Sequence, residues 1–121
     1  MMILAALVAC TNKNRPAAVL TVNSLSCPAD TLTAEPHLTT DAAGHVFLSW
    51  IERGNDTSRF YFSQLTGQAW SVPALIARGS TWFINWADYP MMASDGGVNL
   101  VAHILNKNGK STYAYDVSVF T

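Results

Sequence analysis

The sequence predicts an all-β protein in which one antiparallel module is used twice. An internal repeat is the first observation behind that expectation. Pro36-His37-Leu38-Thr39-Thr40-Asp41 is followed by a Gly-containing turn and the apolar run Val46-Phe47-Leu48-Ser49-Trp50-Ile51. Pro90-Met91-Met92-Ala93-Ser94-Asp95 is followed by a turn and the run Leu100-Val101-Ala102-His103-Ile104-Leu105. The prolines stand 54 residues apart, and the aromatic runs beginning at Phe60 and Tyr113 stand 53 apart. The second observation is composition within the runs. They are short and rich in Val, Ile, Phe, Tyr, Trp and Thr, which suit a pleated, half-buried surface. The third is punctuation: Gly, Asn, Asp and Ser clusters separate the runs at turn spacing, and no helical apolar period extends over ten residues outside the first ten.

Each element follows in order. Strands are expected near 37–40, 45–52, 59–65 and 70–77 in the first module, with turns at Asp41–Gly44, Arg53–Asp56 and Thr66–Gln68. The second module predicts strands near 90–94, 98–106 and 111–120, with turns at Ser94–Gly97 and Asn106–Gly109. Asn108-Gly109 suits the positive φ angles of a tight hairpin. A fourth strand of the second module would fall beyond Thr121. Val46–Ile51 and Leu100–Leu105 are almost unbroken apolar runs, the pattern of strands covered on both faces. Four-stranded antiparallel units stacked face to face on copies of themselves are the blades of a β-propeller. The expected architecture is therefore about one and a half to two blades.

Composition excludes several functions. Half of the 121 residues are hydrophobic, 12% are charged and the formal net charge is −1. That balance excludes disorder and a general basic surface for nucleic acid. No apolar run reaches the roughly 20 residues a membrane helix needs. No cofactor is expected. Phosphate loops and nucleophile elbows are absent, and His37, His45 and His103 lack metal-ligand spacing.

Ser63-Gln64-Leu65-Thr66-Gly67-Gln68-Ala69-Trp70 resembles the blade-turn motif of sialidases, S-x-D-x-G-x-x-W, with Leu65 in place of the aspartate. Together with the repeat and the segment Trp82–Pro90, it makes residues 34–121 similar to the bacterial sialidase-like (BNR repeat) propellers. The resemblance implies six blades, hence roughly 320 residues at this repeat length, so the chain reads as the N-terminal part of such a protein. It also implies an exported glycoside hydrolase of exo-α-sialidase type. Sialidases hold the sugar carboxylate with three arginines and use a tyrosine nucleophile with a glutamate and an aspartate. None of Arg15, Arg53, Arg59 and Arg78 falls in a matching motif, and neither Glu35 nor Glu52 pairs with a tyrosine. The expectation is thus a chain inactive alone. The alternatives are a non-catalytic propeller lipoprotein that binds glycan or protein through its funnel rim, and a short self-assembling β protein.

Asp88 is the candidate catalytic acid or base, because it lies in the connection between modules, which would reach the rim of a propeller funnel. Trp82, Trp86 and Tyr89 supply aromatic faces for pyranose stacking beside it, and Asp116 is a further candidate that would face the funnel or pair with Arg53 or Arg59. The plainer reading of Asp88 is that it binds backbone amides in the turn before Pro90. His103 reads as a hydrogen-bonded core residue. Partners expected are a glycan and the remaining blades, or further copies, that cover open sheet faces.

Residues 1–10, MMILAALVAC, resemble a bacterial lipoprotein signal in which Cys10 is lipidated; Thr11 and Asn12 after it match proteins sent to the outer membrane. Residues 11–33 then form a tether and lead-in strand. The expected location is periplasmic or outer-membrane-anchored, with membrane contact only through the lipid. Unlipidated, Cys10 could instead bridge Cys27.

Overall fold

The computed structural model describes residues 18–97, 99–109, 111 and 114–121. Cys10, the signal-like stretch and Tyr113 lie outside these residues. Among those described the chain is all-β, with eight strands: β1 (Thr33–Thr40), β2 (Val46–Arg53), β3 (Ser58–Thr66), β4 (Ala69–Trp70), β5 (Ala74–Gly79), β6 (Met91–Ser94), β7 (Leu100–Lys107) and β8 (Tyr115–Phe120). They form two antiparallel sheets that do not close on each other. The first runs β1-β2-β3, with β4 and β5 both on the far side of β3; the second runs β6-β7-β8. No helix among the described residues is long and apolar enough to cross a membrane.

The repeat is visible at the level of single hydrogen bonds. Asp41 N–H donates to the His45 carbonyl at 3.2 Å, and Asp95 N–H donates to the Asn99 carbonyl at 3.2 Å. Both aspartates organise their turns with the side chain as well. Asp41 Oδ1 accepts from the amides of Ala43 and His45, while Asp95 Oδ1 accepts from Gly97. The residue four positions on then closes the other oxygen, His45 Nδ1 at 2.6 Å in one turn and Asn99 Nδ2 at 2.8 Å in the other. Short polar side chains that capture local amides are what make such turns.

Alternation along the strands decides which faces meet. In the first sheet Phe47 and Ile51 of β2 and Phe60 of β3 point to the second sheet; Met92, Ala102 and Ile104 point back at them. Ile51, Phe60 and Ile104 are at most 1% exposed, and each such burial contributes about 1.5–3 kcal/mol. Phe47 is the repeat counterpart of Val101, and Ile51 of Leu105. Val101 and Leu105 alternate with Ala102 and Ile104, so they face away from the first sheet. The sheets therefore stack head to tail, the front of one on the back of the next. The backbones approach most closely along β1 and β6, with β2 against β6 next.

This stacking leaves one face of each sheet without a sheet upon it. On the first, Leu38, Leu48, Trp50, Tyr61 and Leu75 share that side by register, although Trp50 is 1% exposed there. On the second, Val101, His103, Leu105, Val117 and Val119 do so. Leu38 and Val119 are each 63% exposed.

Three sequence expectations need correction. The strand expected at 70–77 is broken between β4 and β5, where Pro73 lacks the N–H a ladder requires. β8 begins only at Tyr115, so in register Phe60, opposite Ile51, corresponds to Val117, opposite Leu105. The second hairpin is longer than the first, and the 53-residue spacing of the aromatic runs does not align the strands. β1 also starts earlier, at Thr33, because its N-terminal part pairs with Ile51 and Glu52 across a bulge.

Candidate functional site

That bulge locates the site. In the first sheet Thr33 opposes Glu52, Ala34 opposes Ile51, and pairing resumes at His37 opposite Ser49, leaving Glu35 and Pro36 outside the ladder. Glu35 takes φ +54°, a left-handed conformation uncommon for a side-chain-bearing residue. The second sheet repeats the arrangement with different spacing. Trp82 bridges Asn106, Phe83 N–H donates to the Leu105 carbonyl at 2.7 Å, and pairing resumes at Met91 opposite His103. Between the anchors lie Ile84 to Pro90, seven residues where the first sheet has two. The equivalent bonds Arg53 N–H to the Leu32 carbonyl and Lys107 N–H to the Thr81 carbonyl fix the correspondence. Residues 84–90 thus carry a five-residue insertion, placed on the edge along which the sheets converge.

Asn85 shapes the insertion. Its Oδ1 accepts from the amides of Ala87 and Asp88 at 2.7 and 2.8 Å, and its own N–H donates to the Asp88 carbonyl at 2.9 Å. Asp88 is half-buried, and among the described residues its carboxylate meets only the Asn85 amide, at 3.4 Å. The amide-binding role expected of Asp88 therefore belongs to Asn85, and the Asp88 carboxylate keeps most of its accepting capacity. Pro90 closes the insertion from a fully buried position, Tyr89 is half-buried, and Trp86 stands out at 88% exposed.

Trp82 is drawn inward. It is 8% exposed within the core cluster, its indole against Gly79, where a methyl group would overlap the ring. Its remaining surface helps to line a groove of about 460 Å³ whose wall also includes Arg53, Ser58, Phe83, Ile84 and Lys107. The groove lies between the β2–β3 and β7–β8 turns and runs up to the first residue of the insertion. Arg53 reaches Glu35 at 3.2 Å; Lys107 is exposed. Phe83, stacked on Tyr115 at 5.2 Å between ring centroids, stiffens the same wall.

The remaining candidates lie elsewhere. Asp116 is exposed on β8 opposite Asn106, and Arg53 pairs with Glu35 rather than with it. Arg59 and Arg78 oppose one another on β3 and β5, away from the convergent edge. His103 is half-buried between Met91 and Val119 without a hydrogen-bonding partner for its ring among the described residues, unlike the bonded core histidine expected. Cys27 is a free, exposed thiol. The sialidase-like turn keeps two of its parts: Gly67 takes φ +64°, which glycine adopts without strain, and buried Ser63 donates to the Ser71 carbonyl at 2.6 Å. No metal-holding cluster of His, Cys, Asp and Glu occurs among the described residues.

Comparison with known domain families, characterised proteins and solved structures finds no match.

Proposed function

We propose that this chain contributes two adjacent blades of a sialidase-like β-propeller and takes part in recognising an acidic carbohydrate. The observation that carries this reading is the insertion of residues 84–90 on the convergent edge, continuous with a groove lined by Trp82, Phe83, Arg53 and Lys107. The exposed face of Trp86 suits the apolar side of a pyranose, and Lys107, beside an Arg53 held by Glu35 at 3.2 Å, suits a sugar carboxylate. At about 460 Å³ the groove has the size of ordinary small-ligand sites. Head-to-tail stacking and convergence at one edge support the blade assignment. In a propeller that edge faces the central funnel, so Trp86 and Asp88 would project from the inner strand of their blade.

Recognition is favoured over hydrolysis for these residues. Three arginines around one carboxylate would mark sialidase chemistry, yet of Arg53, Arg59 and Arg78 only Arg53 lines the groove. An exported sialidase-like glycosidase remains the second reading, supported by the Ser63–Trp70 hairpin; its catalytic groups would then come from other blades.

The test is titration of the chain with 3′-sialyllactose, followed calorimetrically and by tryptophan emission. Saturable binding is expected, weakened at least tenfold by Trp86→Ala or Lys107→Ala, with lactose binding more weakly. Absence of binding, or binding untouched by both substitutions, would overturn the assignment.

A further inference from the structure

The groove beside the insertion holds two cations in unlike states, and the repeat makes them comparable. Arg53 and Lys107 are counterparts, since their N–H groups donate to the equivalent carbonyls of Leu32 and Thr81. Both line the groove. Arg53 is paired, its Nη2 standing 3.2 Å from Glu35 Oε1. Lys107 is exposed and makes no ion pair among the described residues. The insertion accounts for the difference. Where the first module has Glu35 and Pro36, the second has Ile84 to Pro90, whose single acidic residue, Asp88, meets the Asn85 amide instead.

The Glu35 contact has the marks of one that a ligand can displace. It engages the guanidinium at one point, and it is the only hydrogen bond of that group among the described residues. A guanidinium carries several N–H donors in a rigid fork, which a free carboxylate can meet bidentately. The Arg53 side chain is 51% exposed, so its remaining donors are open to such a partner. Glu35 reaches it from a backbone at φ +54°, a conformation that surrounding structure must hold in place. The pairing is therefore single-pronged and held under strain.

Charge gives the consequence. A ligand carboxylate approaching Arg53 meets the Glu35 carboxylate at the same guanidinium, and like charges sharing one site oppose each other. Lys107 offers the incoming acid a first contact with no internal rival. Arg53 joins it only as Glu35 gives way.

We propose that Glu35 is an internal competitor in this groove: its carboxylate occupies Arg53 in place of the ligand's and sets how strongly an acid must bind to enter. The proposal rests on the groove assigned to carbohydrate, and its test uses a simpler anion so that the two readings can fail separately. Acetate is titrated at constant ionic strength into the full isotope-labelled chain, and NMR follows the backbone amides of positions 53, 54 and 107. Glu35→Gln keeps the side-chain shape without its charge. Glu35→Asn also suits the left-handed backbone, so a folding defect in the first variant leaves a second one to measure. Both should bind acetate about threefold more tightly than wild type, the size expected of a half-exposed ion pair. The gain from Glu35→Gln should vanish in an Arg53→Gln background. The same chains are then titrated with 3′-sialyllactose. Unchanged or weaker acetate binding in both Glu35 variants overturns the proposal, the weaker result making Glu35 a positioning residue for Arg53. A gain that survives Arg53→Gln overturns it too. A gain with acetate while no chain binds 3′-sialyllactose keeps the proposal and removes the carbohydrate reading.

Discussion

Deleting Asn85–Tyr89 tests the register that defines the insertion. The variant would join Ile84 to Pro90 and leave two residues between Phe83 and Met91, as Glu35 and Pro36 lie between Ala34 and His37. Shortening the excursion from seven residues to two lowers the closure entropy cost by about 1 kcal/mol. Against this, Ile84 would inherit the left-handed conformation of Glu35, at φ +54°, which costs a β-branched residue about 1–2 kcal/mol. Of the Asn85 side-chain bonds lost, that to Ala87 is exposed and that to Asp88 part-buried, and Pro90 keeps its buried place. The net change should be within about 2 kcal/mol, and Ile84→Asn in the same variant should recover part of it, since Asn tolerates that conformation better. Thermal unfolding by circular dichroism measures the effect, at roughly 4–8 °C per kcal/mol for a domain near this size. A variant without a cooperative transition would show that residues 84–90 are part of the fold and that the two modules do not correspond there.

Further expectations follow from individual contacts. Trp82→Ala should cost about 3–5 kcal/mol, as large buried aromatics do, whereas Trp86→Ala should leave the unfolding midpoint within about 0.5 kcal/mol; equal effects in urea titrations would contradict the burial assignment. Ser49 is 1% exposed on the contact face and its hydroxyl has no partner among the described residues, so Ser49→Ala should raise stability by up to about 1 kcal/mol, and a clear loss in the same titration would point to an unseen partner. The hydrogen bond from His45 holds the Asp41 carboxyl below its usual pKa of 3.8, and that from Asn99 does the same for Asp95. A carboxyl with a lowered folded-state pKa stabilises the fold above its unfolded value, and that contribution is lost as pH falls through the folded one. Unfolding midpoints should therefore decline below about pH 4, and Asp41→Asn combined with Asp95→Asn should flatten that decline.

The paired modules, their turns and most strand centres were legible in the sequence because a two-residue side-chain period and turn chemistry are local properties. Asp41 and Asp95 follow Pro36 and Pro90 at the same spacing, and both organise equivalent turns. The insertion was hidden for a specific reason: Pro36 and Pro90 stand at its downstream end, so the spacing beyond them is constant and the extra residues fall before the landmark. Comparing Leu32–Arg53 with Thr81–Lys107 would have shown it, but those anchors are backbone bonds that no side-chain pattern announces. Trp82 and Trp86 looked alike in sequence. Their different burial is set by Trp82 continuing the ladder opposite Asn106 while Trp86 rides on the excursion, a distinction made by pairing partners far along the chain.

Polar stacking of the sheets also governs how the molecule forms. Phe47, Ile51 and Phe60 meet Met92, Ala102 and Ile104, so the ties between the sheets close loops of roughly 30–60 residues, at an entropic cost near 3–4 kcal/mol, whereas each hairpin closes one of a few residues. Meanders should consequently assemble early and dock late, the rate-limiting barrier belonging to docking. Substitutions at Ile104 would then act mainly on how quickly the halves find one another, or on how long they stay joined.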